Sequence, residues 1–206
     1  MRLDPGALNA FLDRPLSIRA RALLVAGLVA LAIGATLPVW RIALVAPQYP
    51  EGLSLEMYTY KIAAGNQGND LQEINLLNHY IGMKAIAQAD FVEMRWIPFA
   101  IGVFVLFGLR AVAIGRIANL VDLLVMFVYF SLFSLGTFAY RLYTYGHDLN
   151  PKAPMRIAPF MPVLIGQQQI ANFVQTSWPL AGTLLMALFV PAVAGAIWLS
   201  RKDRVA

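Results

Sequence analysis

The stretch ALLVAGLVALAIGATLPVW, from Ala22 to Trp40, runs for nineteen residues without one charged side chain. A hydrocarbon layer about 30 Å thick takes about 20 helical residues to cross, so this run is long and apolar enough to span a membrane. Three further stretches are of the same kind: Trp96 to Ile114, Val121 to Tyr140 and Trp178 to Ser200. The 206 residues are 59% hydrophobic and only 13% charged, outside the range of soluble globular chains. Together these features predict an all-α integral membrane protein with four transmembrane helices in a single membrane domain. Residues 1–21 and 201–206 are its tails, and residues 41–95 and 141–177 form two ordered loops. The first run lacks a clean small-x-small cleavage site after it and is read as a retained span.

The four tryptophans, Trp40, Trp96, Trp178 and Trp198, each fall at a predicted span end, where an indole buries its ring and keeps its N–H near water. Pro38 and Pro191 are expected to end or bend helix, because proline lacks the backbone donor. Orientation follows from Lys and Arg. Arg2, Arg14, Arg19 and Arg21 precede the first span, Arg110 and Arg116 bracket the tight connection between the second and third, and Arg201, Lys202 and Arg204 close the chain. The other seven basic residues are diluted over the two loops, which also carry seven of the eleven acids. Basic short segments stay in the cytoplasm, which predicts both termini inside and both loops on the far face, the periplasmic side of a bacterial inner membrane. The pI near 9.7 is therefore assigned to membrane boundaries, and nucleic acid is not an expected partner.

Within the first loop, residues 53–60 (LSLEMYTY) alternate in the period-2 pattern of a half-buried strand. Asp70 with Glu73 makes a capping-box pattern opening a short helix to about Tyr80, and Asp90 with Glu93 repeats it before the second span. In the second loop Pro151, Pro154, Pro159 and Pro162 predict extended coil. From Gln167 the residues Ile170, Phe173 and Val174, set among glutamines, predict an amphipathic interfacial helix leading into Pro179.

The chain has no cysteine, which leaves His, Met and carboxylates as metal ligands. His79 and His147 lie one in each loop. His79 and Met83 stand at i and i+4 and converge if helix persists past Gly82; with His147 and Met155 from the other loop they make a soft donor set suited to Cu(I). Set against this, a lone loop histidine is commonly structural and methionines commonly fill gaps in a core. Asp122, near the inner end of the third span, is expected to pair with Arg116 or Arg110 at the cytoplasmic rim. No span carries a charge near its middle, which argues against a pump or secondary transporter. With no nucleotide-binding, hydrolase or zinc-protease motif, a non-enzymatic role is expected. Ala26 with Ala30, and Ala192 with Ala196, permit close helix contacts.

Residues 46–52 (APQYPEG), 75–84 (NLLNHYIGMK) and 146–155 (GHDLNPKAPM), continuing into 162–166 (PVLIG), resemble a family of bacterial four-span membrane proteins. That family is associated with gene clusters for nitrous oxide reductase maturation and copper handling. The resemblance implies that the loops are the functional face and that His79, Met83, His147 and Asp148 belong to its motifs, and the gene-cluster association makes copper the candidate ligand. Two functions are thus expected: an accessory membrane protein with a periplasmic site or docking surface for copper handling, or a non-catalytic subunit of a larger respiratory or photosynthetic complex. Partners in either case are the lipid bilayer and other membrane or periplasmic proteins.

Overall fold

A computed structural model describes residues 5–202. Four helices are long and apolar enough to cross a membrane, spanning Ile18–Thr36, Glu93–Ile114, Ile117–His147 and Ala181–Lys202. Their order along the chain is α1 (Pro5–Leu12), α2 (Ile18–Thr36), β1 (Trp40–Ala46), β2 (Tyr49–Met57), β3 (Ile62–Ala64), α3 (Asn69–Ile81), α4 (Glu93–Ile114), α5 (Ile117–His147), β4 (Gly166–Ile170), β5 (Phe173–Pro179), α6 (Ala181–Ala187) and α7 (Phe189–Lys202).

The all-α expectation is overturned. Five strands form one antiparallel sheet in the order β3-β2-β1-β5-β4, and the chain is mixed α and β. The strand expected in the first loop is present as β2, displaced toward Tyr49. The interfacial helix expected from Gln167 is instead the β4–β5 hairpin, closed by the two residues Ala171 and Asn172 between the paired Ile170 and Phe173. Its inward positions Phe173, Gln175 and Ser177 are buried while Val174 and Thr176 are less so, a period of two that no helix presents. β1 then pairs with β5 through Trp40↔Pro179 to Val45↔Val174. The two long connections are therefore one structure.

The spans shift accordingly. The first helix starts four residues earlier than predicted and ends at Thr36, just before Pro38. Trp40 lies on β1, with its indole N–H donating to Ser177 Oγ at 2.8 Å rather than facing a membrane boundary. Ser177 in turn donates to the Leu164 carbonyl at 2.8 Å, so a buried hydroxyl is fully used. Trp178 likewise lies on a strand. Pro191 sits in the first turn of α7, immediately after the break from α6 at Leu188. α5, at 31 residues, is about 46 Å long and outreaches a hydrocarbon layer; its last turns enter the sheet domain, where Leu142 and Gly146 are buried.

The ends of the bundle are built differently. At the basic end the Arg21 guanidinium donates to the carbonyls of Val112 at 2.6 Å and Ala113 at 2.9 Å, satisfying the last turn of α4, which has no helical donors left. Ser17 caps α2 by accepting from Ala20 N. Between the ends, α2 packs tightly on α6 and α7: a Cβ on Gly34 would stand 2.8 Å from the Gly182 carbonyl oxygen, so only glycine fits. Ala192 and Ala196 are buried as expected, but α2 meets Ala192 through Gly27, and Ala26 is exposed. One apolar cluster fills the bundle around Leu24, Leu31, Ile117, Leu120, Phe189 and Val193. A second joins the sheet to α3 through Leu44, Leu53, Leu55, Ile74, Leu77 and Phe173. A burial of about 1.5–3 kcal/mol for each such side chain lets Ile170 and Phe173 of the second loop anchor it against the first.

Candidate functional site

α3 carries the first group of predicted site residues. Its opening is not the expected capping box: the cap is Gly68, with no side-chain bond. Instead the Asp70 carboxylate accepts from Ser54 N at 2.8 Å, and Glu73 accepts from the Tyr49 hydroxyl, so both acids tie the helix to β2. The hydrogen bond to Glu73, followed by desolvation and the carboxylate charge, holds the Tyr49 pKa above its ordinary value. The second expected box also fails, because Glu93 pairs with Arg141 through both its oxygens, at 2.9 Å from Nη2, and joins α4 to α5.

Helix does not persist past Gly82. That residue takes φ +84, its N–H returns to the α3 carbonyls, and the turn separates His79 from Met83. His79 is exposed on the last turn of α3, whereas Met83 is half-buried and packs against the sheet core. Met155 packs against the same core. His147, exposed at the end of α5, stacks on Tyr143 with ring centroids 3.8 Å apart, and its Nδ1 lies 2.9 Å from the Tyr143 carbonyl oxygen. A carbonyl oxygen can only accept, so Nδ1 carries the hydrogen in this contact.

The backbones just beyond the two histidines are joined. Asn150 N donates to the Gly82 carbonyl at 2.8 Å, and Met155 N donates to the Tyr80 carbonyl at 3.0 Å. Between them lies an open cleft lined by Met83, Lys84, Asp148, Leu149 and Pro151. Structure thus joins the segments that follow the two histidines, but neither imidazole lines the cleft, and the side chains of Met83 and Met155 both pack against the core. Among the described residues no three His, Asp or Glu side chains converge as a metal cluster. The predicted Asp122–Arg116 pair is corrected: Arg116 Nη1 binds Asp13 at 2.8 Å, and Asp122 is exposed.

Beneath the cleft is a feature that sequence reading missed. A cavity of about 70 Å³ lies between the covered face of the sheet and the end of α5, walled by Leu55, Ile74, Phe138 and Phe173 among others. Four polar residues, Asn78, Arg141, Tyr145 and Gln175, border this apolar wall. Asn78 is 4% exposed and its Nδ2 has no hydrogen-bond partner among the described residues. The space would hold about two waters or a very small neutral guest. Asn78 was legible only as one of the polar positions of α3; that it faces inward depends on the sheet covering it.

No family model matches this chain, and no curated protein matches it.

Proposed function

We propose that the chain is an accessory protein of the bacterial inner membrane, with both termini cytoplasmic, whose periplasmic sheet domain is its working part. The observation that carries this reading is the pairing of β1 with β5. It welds the two loops into one ordered body, setting Ala43 beside Thr176, 133 residues away in sequence, far more structure than connecting four helices requires. The basic segments gathered at the opposite end of the bundle support the orientation. The role is binding and docking rather than covalent chemistry.

Photo-crosslinking in native membranes tests this. A crosslinking residue at Ala85 or Lys152, both exposed on the sheet domain, is expected to capture a partner protein. One at Leu106 or Tyr129, exposed on the spans, is not. Capture from the spans alone would favour the other expected role, a structural subunit of a larger respiratory or photosynthetic complex held by its helices.

A second reading, copper handling, is supported by the backbone bond from Asn150 to Gly82, which joins the segments that follow His147 and His79 beside an open cleft. Its donors would be the two exposed imidazoles, because Met83 and Met155 both pack against the sheet core. Purified protein titrated with Cu(I) under reducing conditions would bind one equivalent, and His79→Ala with His147→Ala would abolish binding. A wild-type protein that binds none would end this reading.

A further inference from the structure

The sheet has two faces of opposite character. Trp40, Leu44, Leu53, Leu55, Phe173 and Gln175 face the cluster under α3 and the end of α5. The reverse face presents Arg41, Ala43 and Val45 from β1, Val174, Thr176 and the exposed Trp178 from β5, and Glu56 from β2. None of these belongs to any hydrophobic cluster. A solvated face of this kind is ordinarily covered by long charged side chains. Here its centre is small and uncharged, a flat surface onto which a second sheet can pack at about 10 Å.

We propose that this face docks a second copy of the same chain. Arg41 and Glu56 stand opposite each other across the β1–β2 ladder, and among the described residues neither takes part in an ion pair. A two-fold axis reverses the order of two such neighbours, placing each Arg41 against the partner's Glu56; the face is therefore electrostatically self-complementary. Membrane geometry points the same way. Trp40 and Pro179, the paired ends of β1 and β5, adjoin α2 and α6, so the sheet is anchored to the bundle at that end. Two chains in one bilayer hold these faces at the same height, with the axis along the membrane normal. This rests on the bilayer reading above and adds to it the identity of one partner.

The absence of cysteine makes the test direct. Ala43→Cys in native membranes, treated with a bismaleimide whose reach is about 10 Å, should give an adduct of twice the chain mass. Ala85→Cys, away from this face, should give at least tenfold less. Arg41→Glu or Glu56→Arg, added singly, should lower the Ala43→Cys adduct about tenfold, and co-expressing the two single variants should restore it between them, which neither an in-chain pair nor a misfolded variant would allow. No adduct, equal adducts at positions 43 and 85, or failure of the co-expressed pair to restore would overturn the proposal. An adduct of any other mass would also overturn it, while leaving the docking role of the domain intact.

Discussion

Replacing Gly82 by alanine should loosen the junction between the two loops, and the structure gives the size of the effect. At φ +84 an alanine pays the left-handed cost of about 1–2 kcal/mol. Its Cβ would also stand 2.9 Å from the Asn150 carbonyl oxygen and 3.0 Å from Ala153 Cβ, an overpacking cost of about 1–3 kcal/mol because a backbone atom cannot swing aside. Gly82→Ala is therefore expected to cost about 2–5 kcal/mol in all. Gly68 provides the control: its φ is +98, and a Cβ there meets nothing within 4 Å, so Gly68→Ala carries only the conformational cost of about 1–2 kcal/mol. Native-state hydrogen exchange in lipid nanodiscs reads both as opening free energies of α3 and β5 amides. The signature of loop contact is that Gly82→Ala also deprotects β5, which belongs to the other loop. If the two variants cost the same, or if β5 exchange is unchanged, the close approach of Gly82 to Asn150 is not present in the protein.

Asn78→Leu removes an unpartnered buried amide and should leave stability unchanged or raise it by about 1 kcal/mol; a loss above about 2 kcal/mol would show the amide to be paired. Ala171 holds φ +52 in the β4–β5 turn, so Ala171→Gly should stabilise the hairpin by about 0.5–1 kcal/mol, read as slower exchange in β4. The Tyr49 hydroxyl donates to Glu73 and its pKa is raised; a raised pKa contributes stability that is present below the unfolded tyrosine value of about 10 and is lost as pH climbs through the folded value. The stability gap between wild type and Tyr49→Phe should thus be constant at neutral pH and close above pH ~10, and a gap that widens there would contradict the bond.

The spans were legible because about 20 uncharged residues in a row have few alternatives, and α3 because its apolar face at Ile74, Leu77 and Ile81 repeats at helical spacing. Its acids marked the right place for the wrong reason, since Asp70 and Glu73 serve β2 rather than the helix cap. β1 begins at Trp40, the last residue of the first apolar run, so the run masked its start. β5 hid because two of its three inward residues, Gln175 and Ser177, are polar, and their burial is stabilised by contacts that no local pattern announces: Ser177 is satisfied only by Trp40 and Leu164. The proposed donor set was half legible. Spacing placed His79 and Met83 on one helical face, but the left-handed Gly82 ends that helix first. Methionine suits a core gap as well as a soft ion, and Met155 went to the core.

The claim on which the account depends is that the two loops share one sheet, with Ala43 opposite Thr176. Paired cysteines at those two positions, in a chain that has none of its own, measure it directly in native membranes. Opposed antiparallel residues have Cα atoms about 4.5–5.5 Å apart, within disulfide reach. Ala43→Cys with Thr176→Cys is predicted to close an intramolecular disulfide under mild oxidation, whereas Ala43→Cys with Lys152→Cys should not. Failure of the first pair to close, or equal closure of the second, would contradict the shared sheet.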